Sequence, residues 1–437
     1  MRRAALIALC WLASSGALSA QSREPLSLGV SEAMARARSS HPDLARIQAE
    51  RRGREADARG SLATYLPRIS TDWSLVRTDD PVAVFGAKLR QGVFAAGDLA
   101  LDALNHPSAV GNSGVTLTVE QPLVAPEGWA GRKAALSGAE AGRLMEARAI
   151  QLVAFDALQT YFGAVVATAR IGVLDSALTA ARQTLGQVQS LRREGVVTGV
   201  DEQLAVARVS ELEANRAMAE ADRLGAVDRL LLALGEPPGR PVVLLDSIDL
   251  PVVAPDSGVR FDLAALERVV GARDADRARI RAQWLPNVGA FGSLAWNQGS
   301  FGAFGGPRHW NAGLVVRWTP FRGFQDVAQA ARATAERDRA VADLAAQERA
   351  ASAEVRAAAA RYRASLAAVA AADRALESAA QASRIATTRY QGGVATISEL
   401  LNVRAAESSQ RLARLDALFQ ARIAVAQLAL ARGGDPR

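Results

Sequence analysis

Two similar stretches, EGVVTGVDEQL at residues 194–204 and QGGVATISELL at residues 391–401, lie 197 residues apart in the chain. Each combines glycine and valine with a following acidic residue, and each interrupts a long sequence of helical character. Glycine is the residue that most readily ends a helix. Each stretch therefore predicts a tight turn between two helices, and the pair indicates that the chain contains a repeated unit.

The repeat extends on the N-terminal side of both turns. Three further pairs of motifs follow the same order in the two copies: PDLARI (42–47) with FDLAAL (261–266), YLPRIS (65–70) with WLPNVG (284–289), and EQPL (120–123) with WTPF (318–321). The spacing is 219 residues for the first two pairs and 198 for the third, so the first copy has 21 extra residues between Pro67 and Pro122. Four matches in one order predict two copies of one fold unit.

The first residues have the composition of a secretory signal. Met1-Arg2-Arg3 is basic, residues 4–18 are apolar, and Ser19-Ala20 supplies small residues for cleavage. This pattern and the repeat predict the following segments: a signal peptide at 1–20, a first repeat at 21–234, a proline-rich linker at 235–258 and a second repeat at 259–437. No uninterrupted run of 18 apolar residues follows the signal, which predicts no transmembrane helix and leaves a periplasmic, released or β-barrel protein.

The composition argues against catalysis and against nucleic-acid binding. The only cysteine, Cys10, lies in the predicted signal, and His41, His106 and His309 are too far apart to form a zinc motif. The net charge is +7, but the arginines alternate with acidic residues, which is typical of solvated helix faces. No Ser-His-Asp constellation, P-loop or GxGxxG motif occurs. We therefore expect no enzyme, no metal, no cofactor and no nucleic-acid partner.

Each copy contains one helix that is too long for a compact domain. Residues 127–193 and 324–389 continue without proline, and the second range also lacks glycine. About 65 helical residues span roughly 100 Å, whereas helices of globular proteins average about 11–12 residues. Alanine is abundant in these ranges, and small side chains permit close helix packing. The pattern predicts two long helical hairpins that pack side by side.

Four short segments alternate between apolar and polar residues, at 69–75, 115–120, 288–296 and 314–318. The alternation predicts that Leu117 and Val119 face lipid, while Thr116 and Thr118 face a lumen. A half-buried sheet of a soluble domain is the ordinary alternative. Four strands cannot close a barrel, and lipid does not tolerate open edges, but three chains would supply twelve strands.

These residues resemble the family of TolC-like outer-membrane efflux proteins, the outer-membrane factors of tripartite efflux and type I secretion systems. The resemblance rests on PLSLGVSEAMARARSSHPDL near the N-terminus and on the motifs quoted above. It implies a mainly α protein with a small β part: a long antiparallel α-helical barrel, plus four strands per chain in a trimeric 12-stranded transmembrane β-barrel. It also implies an outer-membrane location with a periplasmic helical extension, and partners that are a periplasmic adaptor, an inner-membrane pump and outer-membrane lipid.

The resemblance assigns roles to individual residues. It implies a periplasmic tip and gate formed by Gly195, Thr198, Asp201, Glu202, Tyr390, Gly393, Thr396 and Glu399. The membrane strands are represented by Trp73, Leu117, Val119, Trp296, Leu314 and Trp318, of which the three tryptophans near strand ends are expected at the membrane interfaces. Ala395 and Asn402 replace an arginine and an acid of the best-known member, so the same closed-state salt bridges are not expected here.

Two alternatives remain open at this stage. A soluble periplasmic coiled-coil adaptor or scaffold would share the signal and the long helices, but it predicts neither the alternating strands nor the twofold repeat. The 21 extra residues lie in the connection 79–112, which contains VFGAKLRQGVF. In such a protein this loop faces outside, either as a cap or receptor surface or as a tolerated insertion.

Overall fold

The computed structural model describes residues 25–250 and 257–436. The predicted signal peptide and its cleavage site, as well as part of the predicted linker, lie outside the described residues. Contacts divide the chain into two compact units. The first comprises residues up to Arg36, Ala157–Asp249 and Arg374–Phe419; the second comprises Ala37–Asp156, Leu250–Asp373 and Gln420–Arg437.

Helices dominate the described residues, and two of them are very long. The helices are α1 (Val30–Ser40), α2 (Pro42–Gly60), α3 (Pro81–Gln91), α4 (Leu101–Asn105), α5 (Pro126–Arg193), α6 (Gly199–Ala233), α7 (Phe261–Ala282), α8 (Gln325–Gln391) and α9 (Ile397–Ala431). Two 3₁₀ turns occupy Ser61–Thr64 and Ala96–Leu99. Helices α5 and α8 contain 68 and 67 residues, as the unbroken helical pattern predicted.

The strands form two separate sheets. They are β1 (Leu26–Leu28), β2 (Arg68–Thr78), β3 (Val110–Val124), β4 (Val242–Leu244), β5 (Asn287–Gln298) and β6 (Arg308–Arg317). In the first unit β1 pairs with β4 in parallel, so the segment predicted as a linker contributes a strand. In the second unit the antiparallel order is β2-β3-β5-β6. The predicted fold class, mainly α with a small β part, is confirmed.

The element order repeats along the chain. A helix, two strands and two long helices occur as α2-β2-β3-α5-α6 and again as α7-β5-β6-α8-α9. The Leu-Pro motifs lie between the first helix and the first strand of each copy, because the residue before proline is pushed out of the α region. The boundaries predicted at 234 and 258 stay predictions.

One described helix, α5, differs from the prediction that no transmembrane helix follows the signal. Within α5, an 18-residue stretch is long and apolar enough to cross a membrane by length and composition, with a third of the stretch buried. The stretch is apolar on average only, because α5 contains no 18 consecutive apolar residues. One such helix is weak evidence for a span, since core helices of soluble proteins pass the same test.

Leucine and alanine residues form the seam between α5 and α6 in the first unit. Leu174, Leu178 and Ala181 of α5 pack against Leu212 and Ala219 of α6. Each of these side chains is less than a tenth exposed. Alanine lets two helix backbones approach closely while leucine fills the remaining space, so the high alanine content has a packing role as well as a propensity role.

Candidate functional site

The first turn of the first unit joins α5 to α6. Gly195 has a φ of +75°, and its N–H donates to the Arg192 carbonyl at 3.0 Å while the Val196 N–H donates to Leu191 at 2.9 Å. This is the Schellman arrangement that ends helices at a left-handed residue. Helix α6 then starts with a capping box, in which Thr198 and Asp201 satisfy each other's backbone N–H groups.

The second turn, between α8 and α9, repeats this geometry. Gly393 has a φ of +70°, and its N–H donates to Tyr390 while the Val394 N–H donates to Arg389. The Thr396 hydroxyl accepts from the Glu399 N–H at 3.2 Å. The equivalent glycines and threonines are 198 residues apart, one more than the motif spacing of 197. Glu399 therefore takes the place of Asp201 in the helix cap, although it takes the place of Glu202 in the ion pairs with arginine.

Both predicted tip glutamates are paired with arginine inside their own hairpin. Arg192 of α5 contacts Glu202 of α6, and Arg389 of α8 lies 3.1 Å from Glu399 of α9. The Glu202 side chain is 16% exposed, whereas that of Glu399 is 41% exposed. Sequence reasoning did not find either arginine partner. Glu399 is consequently the acid that solvent reaches more readily.

A shared apolar cluster holds the two turns together beneath these pairs. Val188 and Ala205 of the first hairpin pack with Ala386, Ile397 and Leu400 of the second. The cluster fixes the second turn against the first within the unit. The two predicted tip segments therefore form one surface.

The predicted gate residue Tyr390 packs its ring against this apolar cluster. Its hydroxyl is buried and has no hydrogen-bond partner among the described residues. Burial, and secondarily the negative charge of Asp201, raise the pKa of Tyr390, so the side chain stays neutral at physiological pH. A buried hydroxyl without a partner carries an energetic cost, which singles out this position within the tip surface.

The glycine at the second turn gives a direct prediction. Replacing Gly393 by alanine should destabilise the hairpin by about 1–2 kcal/mol, because a Cβ is unfavourable in the left-handed region. Gly392 is the matched control, since its backbone does not need positive φ and an added Cβ meets only ordinary contacts. Limited proteolysis at the turn measures the difference. Equal protease sensitivity of the two variants would contradict this assignment.

A hydrogen-bonding role also falls to a residue that the sequence did not indicate. Arg404 of α9 donates to the Ala180 carbonyl at 3.2 Å, to the Thr184 hydroxyl and to the Thr387 hydroxyl. It thus links α9 to α5 and α8 below the turns. Burial lowers the pKa of this guanidinium. The group remains charged, because the ordinary pKa of an arginine side chain lies far above physiological pH. A single arginine within a charged helix carries no sequence signal of such a role.

The second unit contains the predicted membrane strands, and their register sorts the side chains by face. Leu117 pairs with Thr71 and Leu294, and Val119 pairs with Ile69 and Gly292. Directly paired residues of an antiparallel sheet share a face. We call the face that carries Leu117 and Val119 the apolar face. Its other apolar members include Trp73, Leu75, Val115, Trp296, Trp310, Leu314 and Val316.

The opposite face, the polar face, is lined mostly by small polar residues. Thr116 pairs with Asp72, and Thr118 pairs with Ser70 and Ser293. Ser293 donates to the Asn311 side chain at 2.8 Å across this face. The apolar exceptions on this face include Val76, Val110, Phe291 and Val315. The sheet therefore has the two-sided character that the alternation predicted.

Aromatic residues gather at both ends of the apolar face. Near the strand–strand connections, Trp296 at the end of β5 contacts Phe304 at 5.2 Å, and Trp73 contacts Phe301 of the same connection at 5.2 Å. Near the helices, the Trp318 indole donates to the Trp284 carbonyl at 3.1 Å. Trp318 lies just beyond β6. Trp73 is in the middle of β2 and not near its end, because β2 continues to Thr78.

These features define a mainly helical protein that also contains one small sheet with an apolar and a polar face. The sequence profile described as "Outer membrane efflux protein" matches residues 33–236 and 258–434. The chain belongs to the outer membrane efflux protein family. Membership confirms the predicted family and outer-membrane location, agrees with a non-enzymatic role, and does not favour the soluble adaptor alternative.

Individual relatives agree with the family. Outer membrane protein OprJ of Pseudomonas aeruginosa is 28% identical over 316 residues, which cover 68% of this chain and 64% of that protein. A solved membrane protein from Pseudomonas aeruginosa superposes with a TM-score of 0.80 at 22% identity, covering 92% of this chain and 93% of the other. The open-state outer membrane channel MtrE of Neisseria gonorrhoeae gives a TM-score of 0.78 at 17% identity, with 93% and 89% covered.

Proposed function

We propose that this protein is the outer-membrane channel of an efflux or type I secretion assembly and acts as a homotrimer. In this role it conducts substrates from an inner-membrane pump and a periplasmic adaptor to the exterior without chemical change. The single observation that carries the proposal is the sheet with one apolar face, one polar face and two edge strands that lack a second partner among the described residues.

The edges are the first step of the argument. In the order β2-β3-β5-β6, strands β2 and β6 each have a partner on one side only among the described residues. Their backbone N–H and C=O groups would be unsatisfied in lipid, at a cost of several kcal/mol each. Pairing β6 of one chain with β2 of the next satisfies both edges. Three chains then give a closed barrel of twelve strands.

The exposed apolar side chains are the second step. Leu314 is 71% exposed and Trp310 is 79% exposed, although both lie on the apolar face. Water is an unfavourable neighbour for such a surface, whereas lipid is a favourable one. The polar face, with Thr116 and Thr118, then lines the lumen of the barrel.

The distance between the aromatic residues at the two ends of the apolar face agrees with the thickness of a membrane. Trp296 pairs with Arg308, and Trp318 lies ten residues further along the β6 direction. Ten residues extend about 33 Å along a strand, or roughly 25 Å along the axis of a barrel with strands tilted near 40°. An apolar band in outer-membrane barrels is about 25 Å tall. The aromatic residues would therefore lie at the two interfaces.

The turns of the first unit supply the surface for the adaptor. Helices α5 and α8 each end in an exposed turn with Val196 and Val394 about two-thirds exposed, 67% and 70%. Exposed apolar side chains that are fixed by a common core form the kind of patch that marks protein–protein interaction sites. Residues Thr198, Asp201 and Thr396 shape this surface by starting the returning helices.

Ion conduction tests the proposed function. Purified full-length protein in planar bilayers should give stepwise, ohmic currents. A folded protein that inserts in bilayers and carries no current would overturn the proposal. A protein that stays water-soluble and binds an inner-membrane pump would instead support the adaptor alternative.

Glu399 should influence ion selectivity in the same recordings. Replacing Glu399 by glutamine removes three carboxylates from the trimer and leaves Arg389 without its partner, so cation preference should fall. The reversal potential under a salt gradient measures this preference. Glu213→Gln is the matched control, because Glu213 is also a half-exposed acid paired with an arginine, Arg182. Equal reversal potentials for the two variants would show that Glu399 does not influence ion selectivity and acts only at the start of α9.

A further inference from the structure

The two connections between strands lie at the same end of the four-stranded sheet. Helices α2, α5, α7 and α8 all join the sheet at its other end. The first connection runs from 79 to 109 and contains α3 and α4, whereas the second runs only from 299 to 307. If the helices are periplasmic, as the proposed function requires, both connections lie at the outer mouth of the barrel.

The first connection is an ordered element rather than a loose loop. Asp80 caps α3 by accepting from the Ala83 N–H at 2.7 Å, and Gly92 ends the helix with a φ of +68°. Lys88 lies 2.7 Å from Asp98, and its hydrogen bond lowers the pKa of that carboxyl. These contacts hold the segment in one conformation.

Helix α3 is docked on the polar face of the sheet. The Gln91 side chain, 8% exposed, donates to the Gly111 carbonyl and to the Asn112 side chain, both at 2.9 Å. Asn112 in turn donates to Asn297 at 3.1 Å, and the His309 ring lies 2.8 Å from the Arg90 carbonyl. Asn112, Asn297 and His309 share the face of Thr116 by register.

The second connection takes the other face. Phe301 and Phe304 rest on Trp73 and Trp296, and the Ser113 hydroxyl donates to the Gly302 carbonyl at 2.7 Å. These residues belong to the apolar face. Only the first connection is therefore placed to enter a lumen lined by the polar face.

The side of α3 that points away from the sheet is apolar. Val84 and Ala87 are buried on the docked side with Gln91, while Val82 and Leu89 lie half a helical turn away, 81% and 49% exposed. At 100° per residue, Val82 and Leu89 share the opposite face of the helix. In a closed barrel this face points towards the lumen axis, where the same face of two other copies is the available partner.

We propose that α3 forms an outer constriction of the channel, in which three copies meet around the axis through Val82 and Leu89. The proposal rests on the proposed trimeric channel. It assigns a function to the insertion that distinguishes the first copy of the repeat from the second. The exposed apolar face of α3 contacts the same face of α3 in the neighbouring copies.

Cysteine modification tests the constriction in the full-length channel, whose sequence has no cysteine beyond Cys10. The test variant is Leu89→Cys, the lumen control is Thr116→Cys, and the lipid-face control is Leu75→Cys. A charged, water-soluble methanethiosulfonate is added from the outer side during planar-bilayer recording. We expect current to fall on modification of Leu89→Cys and Thr116→Cys and to stay unchanged for Leu75→Cys. Oxidation should also join Leu89→Cys chains into covalent dimers.

The outcomes separate the two proposals. Leu89→Cys that is modified, as mass measurement shows, but keeps its full current while Thr116→Cys loses current would overturn the constriction alone. Absence of current from the unmodified trimer would overturn the proposed function. Undocking α3 with Gln91→Ala should raise the single-channel conductance, and an unchanged conductance would also count against the constriction.

Discussion

Replacing Leu117 by arginine is expected to destabilise the assembled barrel by about 2–4 kcal/mol, the range for a charge near the bilayer midplane. Leu117 is the middle residue of the fifteen in β3 and lies on the apolar face between Thr71 and Leu294. An arginine there would have to leave water for lipid. The urea midpoint for refolding into lipid vesicles, followed by heat-modifiable migration, measures the loss.

The neighbouring position is the control. Thr116→Arg introduces the same side chain one residue away, on the polar face opposite Asp72 and Ala295. The guanidinium can stay in water there, so the loss should be small. If the two variants refold alike, the two-sided sheet is not part of a lipid-embedded barrel.

The second large effect is expected at the end of α9, whose last carbonyls are satisfied by side chains. Arg148 donates to the Leu430 carbonyl at 3.1 Å, and Arg260 donates to Ala431 at 2.8 Å. Asp262 holds Arg260 through two hydrogen bonds of 2.6 and 2.9 Å and lies 4.0 Å from Arg148. One carboxylate therefore positions both guanidinium groups.

Asp262→Ala should destabilise the second unit by about 2–3 kcal/mol, somewhat below the ~3–5 kcal/mol for a fully buried pair, because Glu354 still pairs with Arg260. The half-inactivation temperature of the detergent-extracted protein measures this loss. The matched control is Asp43→Ala at the same position of the first repeat, where the side chain is 69% exposed. Its effect should stay within about 0.5 kcal/mol. Equal losses would show that Asp262 does not organise the helix end.

The effect of Asp262 should depend on pH. Burial opposes its ionisation, but the Arg260 hydrogen bonds and the charge of Arg148 outweigh burial and lower the pKa of Asp262. A carboxyl with a lowered folded pKa stabilises the fold above its ordinary value of 3.8, and this contribution is lost as pH falls through the folded pKa. The difference between wild type and Asp262→Ala should therefore be full near neutral pH and shrink in acid.

The sequence was sufficient for those features that depend on local chemistry. Long ranges without proline predicted α5 and α8, and period-two alternation predicted the four strands with Leu117 and Val119 on one face. Gly195 and Gly393 were identified as turns because positive φ strongly favours glycine. Each of these signals is contained within a few neighbouring residues.

Other features depend on contacts across the fold and left no local signal. The pairing of Glu399 with Arg389 spans a turn, and the reach of Arg404 to Thr184 joins residues 220 apart in sequence. The motif spacing of 197 aligns Glu399 with Glu202, and the arginine pairs keep this alignment. The helix caps are 198 residues apart and align Glu399 with Asp201 instead. The extra residues could be located from the repeat, but the docking of α3 on the polar face follows only from the strand register.

The mass of the detergent-extracted complex tests the central claim most directly, since four strands per chain need partner chains to close. Native mass spectrometry of the full-length protein from outer membranes should give a single species of three chains that withstands mild detergent. A stable, folded and water-soluble monomer would contradict the account, because its sheet edges and its apolar face would then have no need of neighbouring chains or lipid.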